Sequence, residues 1–287
     1  MAKRKAKARV PGTTSARPVA PLPDPRAMEG IVASIVGGVV HYTYTSDEGL
    51  LRAQSLMYEA FDAPAHRRVA LARQALALSA DCADAYLLLA EEAAASLEEA
   101  RELLEQAVAA GERALGPEPF ADDVGYFWGL VETRPYMRAR AALAETLWAL
   151  GRRDEAVEHQ RDLLRLNPND NQGVRYRQAE YLLALERYEE LDELFAAYDE
   201  DAAAAFAYTK ALAAYRRQGD SSQARELRLE ARTLNPHVPA YLAGRKRLPA
   251  RLPDYVGFGD ASEAVDYAVG AKAQWQETPG AVAWLAA

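Results

Sequence analysis

The chain has 287 residues, 50% hydrophobic and 26% charged, with one cysteine and a formal net charge of −8. Apolar material suffices for a core, Cys82 alone forms no internal disulfide, and the longest apolar run, residues 31–40, is too short to span a bilayer. Residues 1–27 hold seven basic side chains against Asp24, a surplus of +6 that leaves −14 on residues 28–287, so the body lacks the basic footprint of a protein whose main ligand is nucleic acid.

The first segment, residues 1–27, carries Pro11, Pro18, Pro21, Pro23 and Pro25 with the basic cluster and few large apolar groups. Such a segment does not offset its ordering entropy by burial and is expected to be a disordered basic tail. A lead-in over residues 28–50 follows. Its β-branched and aromatic stretch at 31–45 suggests a short strand or extended entry. No secretory signal pattern is evident, and the cytoplasm is the expected compartment.

From about residue 51 to 238 the apolar spacing becomes helical and repeats. Repeats one and two occupy 51–115. The first reads Met57, Tyr58, Phe61, Ala70 and Ala77; the second reads Tyr86, Leu89, Ala90, Ala100 and Ala107. An insertion at 116–136, with the aromatic cluster Tyr126-Phe127-Trp128 between Gly125 and Gly129, breaks the period. Repeats three to five occupy 137–238. The third unit shows the pattern best, in Leu143, Ala144, Leu147, Gly151, Ala156, Leu163 and Pro168. The fourth uses Tyr176, Ala179, Leu182, Tyr188, Leu191 and Phe195. In the fifth, Gly219 and Pro236 each lie 68 residues after Gly151 and Pro168, two periods on. Residues 239–287 supply a Pro-rich connector, a helix from about 261 to 276 and a short last helix with Trp284 and Leu285, read as the cap a repeat array needs. The expected fold is all-α: a right-handed superhelical array of about five tetratricopeptide-type helical hairpins with a C-terminal helical cap.

These units resemble tetratricopeptide repeats over roughly two thirds of the chain. Within them the run DCADAYLLLAEE at 81–92, then Glu98-Glu99-Ala100 and Ala109-Ala110-Gly111-Glu112, is similar to the suppression-of-tumorigenicity-seven family. The stretches FWGLVETRPYMRA at 127–139 and NPNDNQG at 167–173 resemble uncharacterised bacterial repeat proteins. Animal members of that family are described as membrane proteins, a location that does not carry over to a chain without a plausible span. The resemblance implies no activity, catalytic residue or cofactor.

Nor do the residues themselves point to a catalyst. His41, His66, His159 and His237 are scattered without metal-ligand spacing, and no phosphate-binding glycine loop occurs. Neither a metal nor a cofactor is expected. The expected role is a protein–protein interaction scaffold that takes a protein or peptide in a concave groove lined by the first helix of each unit. Aligned units place Glu59, Glu91, Glu145 and Glu180 in one groove column, flanked by Arg138, Tyr176 and Arg177. Such a stripe suits a basic segment, whereas the same glutamates could be solvated or be internal partners of Arg138 and Arg177. The insertion offers Phe127, Trp128 and Arg134 either as an exposed anchor or as a plug joining repeats two and three. An enzyme or accessory subunit, with a site near the insertion or the Pro-rich C-terminal segment, is the alternative. No oligomeric state follows from these residues.

Overall fold

The structure, a computed structural model, describes residues 24–36, 47–253 and 255–287. The basic stretch up to residue 23 and residues 37–46 of the lead-in lie outside the described residues. Among those described there are fifteen α-helices and no strand.

Helix α1 (Pro25–Val36) overturns part of the sequence reading, because residues 25–27 were assigned to the tail and 31–36 to an extended entry. Its β-branched residues and Gly30 disfavour helix locally, but contacts far along the chain override that preference: Arg26 reaches Glu91, and Glu29 reaches Arg134 and Arg138.

Five helix pairs follow. They are α2 (Glu48–Asp62) with α3 (Ala65–Leu78), and α4 (Ala83–Glu92) with α5 (Leu97–Leu115). After a short α6 (Glu118–Asp122) in the insertion come α7 (Arg134–Ala149) with α8 (Arg153–Leu166), α9 (Val174–Ala184) with α10 (Tyr188–Ala197), and α11 (Ala204–Gln218) with α12 (Ser222–Leu234). Side chains mark several starts: Asp47, Ser96 and Ser221 each accept a backbone N–H of the first helical turn. In the third and fifth pairs the turn runs through Gly151 (φ 81°) and Gly219 (φ 63°). The fourth pair makes the equivalent turn with Glu186 at φ 56°, a left-handed conformation that a Cβ disfavours.

The small residues expected at helix crossings are sealed in units three to five, where Ala144, Ala156, Ala179, Ala211 and Ala224 are at most 1% exposed. The first unit departs from expectation. Ala70 and Ala77 are exposed, and Leu71, Ala72 and Ala75 form the buried face of α3, one or two positions away from the predicted pair.

The insertion is a plug. Phe127 is fully buried, with its ring 5.1 Å from Phe120 and 6.3 Å from Tyr136. The Thr133 hydroxyl donates to the Leu130 carbonyl at 2.9 Å, and the Gly125 N–H donates to the Leu166 carbonyl at 3.0 Å, which ties the loop to α8. Beyond the fifth pair come α13 (Val238–Leu242), α14 (Ala261–Glu277) and α15 (Ala281–Ala286). Buried Tyr267 and Trp275 root α14 in the core, and α14 packs on α9 and α11, the first helices of pairs four and five, as well as on α13.

Candidate functional site

The binding column was expected on the first helices of the pairs, α2, α4, α7, α9 and α11, of which α2 meets α4, α4 meets α7 and α9 meets α11. Two of the chain's own helices already lie on it. At one end α1 crosses α2, α4 and the start of α7. Arg26 donates to both oxygens of Glu91 at 3.0 Å, with its guanidinium 4.2 Å from the centre of the Phe61 ring. Glu29, 9% exposed, accepts from Arg138 at 2.8 Å and from Arg134 at 3.3 Å. Arg138 also grips the fully buried Asp84 through two hydrogen bonds, at 2.7 and 3.1 Å, while Gln54 donates to Asp84 at 2.8 Å. These charges are compensated by hydrogen bonds within the network, as burial requires.

At the other end α14 covers α9. The Gln274 amide donates to the Glu180 carbonyl at 3.0 Å, and Gly270 sits directly on the Arg177–Glu180 ion pair. A Cβ at position 270 would stand 2.6 Å from both Arg177 Nη1 and Glu180 Oε2. Burial pushes the Glu180 carboxyl above its usual range, an effect that Arg177 offsets only partly.

The predicted column is therefore interrupted. Glu59 is exposed and pairs with Arg67 at 3.3 Å, Glu91 is taken by Arg26, and Glu180 is buried beneath α14. Tyr176 is half-buried: its hydroxyl donates to Asp201 at 3.0 Å and its ring meets Phe206 edge-on. In the insertion, Phe127 is sealed and is no exposed anchor. Trp128 is half-buried, with Arg134 donating to its carbonyl at 2.9 Å and lying 5.3 Å from its ring centre. The exposed aromatic there is Tyr126, at 71%.

What stays open is the stretch between the two covering helices. Glu145 is exposed on α7, two turns beyond Arg138, and lies within electrostatic reach of Arg177 and Glu180. Asp266, exposed on α14, adds its charge to the same neighbourhood. One turn further along α7, the Trp148 ring stacks on Tyr181 at 3.7 Å, forming an aromatic floor. The sequence reading had missed Arg26, Glu29, Asp84 and Asp266. Their partners lie up to 109 residues away, although an aspartate within the apolar run at 83–90 was a visible sign of a buried pair.

Among the described residues no group of three or more His, Cys, Asp or Glu is placed to hold a metal ion, and no helix is long and apolar enough to cross a membrane. Cys82 is fully buried, and burial, with Asp84 beside it, pushes its thiol up to about 12, so it is not a poised nucleophile.

Comparison with known proteins gives the lineage. The chain is 32% identical over 269 residues to a Homo sapiens protein named suppressor of tumorigenicity 7 protein-like, which covers 84% of this chain and 46% of the relative. The Bos taurus protein of that name is 32% identical over 275 residues, covering 84% and 48%, and Macaca fascicularis suppressor of tumorigenicity 7 protein is 31% identical over 225 residues, covering 70% and 42%. The chain spans about half the length of the curated relatives it matches. No solved structure matches it. The family described as ST7 protein matches residues 40–287, which takes in every helix from α2 to α15, and the chain belongs to that family.

Proposed function

We propose that this chain is an interaction scaffold: a right-handed superhelical array of tetratricopeptide type that binds a Lys/Arg-bearing protein segment on the open part of its first-helix face. The observation that supports it is the acidic window between α1 and α14. Exposed Glu145 and Asp266 stand with Glu180 around Arg177, beside the Trp148–Tyr181 stack, where Arg153 lies 5.3 Å from the centre of the Trp148 ring. An open charged window over an aromatic floor suits a partner carrying amino or guanidinium groups, which gain from both carboxylates and ring faces. The tetratricopeptide assignment draws on the five consecutive helix pairs and the small buried residues at their crossings. The enzymatic alternative has less to draw on. The concavity beside the insertion is lined mainly by apolar residues such as Leu50, Leu51, Leu115 and Val131; of its two carboxylates, Asp81 and Glu132, Asp81 pairs with Arg113 at 2.7 Å.

Glu180 is a poor residue for the test, because reversing a buried charge would also unseat α14. Glu145→Lys with Asp266→Lys alters the window alone. Binding of a labelled oligolysine peptide, read by fluorescence anisotropy, should weaken by about tenfold, since two exposed charge contacts of roughly 0.7 kcal/mol each amount to one decade. Unchanged affinity in the double variant refutes the window as the site.

A further inference from the structure

We infer that the surface beneath α1 is a second interaction site, for a helical segment that presents an arginine and, three residues later, a glutamate, and that α1 is its resident occupant. The inference goes beyond the acidic window and uses different residues.

Three observations meet here. The receptor side, formed by Tyr58, Phe61, Glu91, Arg134 and Arg138, lies within residues 40–287, the part of the chain that matches the ST7 protein family, whereas α1 lies outside that part. Secondly, α1 engages this surface with a short, readable pattern. Arg26 takes Glu91 and the Phe61 ring, Glu29 takes Arg134 and Arg138, and Gly30 lets the helix backbone close on Tyr58, where a Cβ would stand 2.7 Å from Tyr58 Cβ. The charge order on the surface, acidic at Glu91 and basic at Arg134 and Arg138, is the complement of an Arg-x-x-Glu-Gly helix face.

The third observation concerns how α1 is held. Its twelve residues include Gly30 in mid-helix and the β-branched Ile31, Val32, Ile35 and Val36, so it has little intrinsic reason to be helical. Among its described side chains, Met28 is 49% exposed, Ala27 packs on the core cluster of Met57 and Phe61, and Arg26 and Glu29 make ion pairs. A short helix of low intrinsic propensity opens at lower free energy than longer helices with buried faces. When α1 leaves, Arg138 keeps its pair with Asp84, so the receptor surface stays formed while Glu91, Arg134 and one edge of Arg138 become available. A partner helix with the same pattern would make the same contacts.

The test uses the full chain and a labelled peptide with the sequence of residues 24–36. Arg26→Gln with Glu29→Gln in the chain weakens the resident helix and leaves the receptor intact. The peptide should bind this variant at least about tenfold more tightly than the wild type, because apparent affinity scales with the fraction of chains in which the site is vacant. A peptide carrying the same two substitutions should lose that binding. A peptide with Arg26→Glu should bind a chain carrying Glu91→Arg in place of the unmodified peptide. In the wild-type chain, amides of α1 should exchange with solvent at least about a hundredfold faster than those of α7. The inference is overturned if the peptide does not bind the double variant, if binding ignores the Arg and Glu, or if α1 exchanges as slowly as α7. Any of these results leaves the acidic window untouched, since Glu145 and Asp266 take no part in the assay.

Discussion

Replacing Arg138 by methionine removes the one cation that compensates Asp84. The aspartate is fully buried, the Arg138 side chain is 10% exposed, and they meet at 2.7 Å, so solvent screens the pair little. In the variant Asp84 keeps only the Gln54 amide at 2.8 Å. Breaking a buried pair from one side costs about 3–5 kcal/mol. Urea unfolding at pH 7, followed by far-ultraviolet circular dichroism, measures the loss. Adding Asp84→Asn to Arg138→Met removes the stranded charge and should recover most of the loss. A deficit below about 1 kcal/mol for the single variant, or a double variant no better than the single, would refute the view that this network holds α4 to α7.

Two further outcomes are open to measurement. His159 accepts from the Arg140 Nε at 3.1 Å, and burial, then Arg140, hold its imidazole below its ordinary value near 6.5. Its neutral form contributes stability that is present above that unfolded value and is lost as pH falls towards the lower folded one, so His159→Gln should flatten the decline in melting temperature between pH 7 and pH 5; an unchanged slope counts against the assignment. Glu186→Gly relieves a left-handed residue at the turn of the fourth helix pair and should raise stability by about 0.5–1 kcal/mol in urea unfolding; a loss would show that the Glu186 side chain contributes more than its backbone strain costs.

What could be read from the chain beforehand follows the range of the interactions. Gly151 and Gly219 mark their turns because a left-handed backbone is a local demand, and the crossings at Ala144, Ala156, Ala211 and Ala224 follow from helical spacing. The α3 register was misplaced because several alanines in that helix satisfy the same spacing, and only packing selects Ala72 and Ala75. The expected glutamate column carried no sign of what stands over Glu91 and Glu180, because Arg26 and Gln274 reach their partners across 65 and 94 positions.

Glycine is where that covering was visible in principle. Gly30 and Gly270 each interrupt a segment that is otherwise helical, where a glycine costs roughly 0.5–1 kcal/mol relative to alanine. Both stand where the covering helix approaches the first-helix face most closely, one against Tyr58 and the other against the Arg177–Glu180 pair. A mid-helix glycine that needs no turn signals close approach, and close approach by a terminal helix means that the surface beneath it is occupied. The charged side chains that seemed to await a ligand at Glu91, Arg138, Arg177 and Glu180 are thus the ones the chain uses on itself. The carboxylates left for a partner at the α14 end are the exposed ones, Glu145 on α7 and Asp266 on α14.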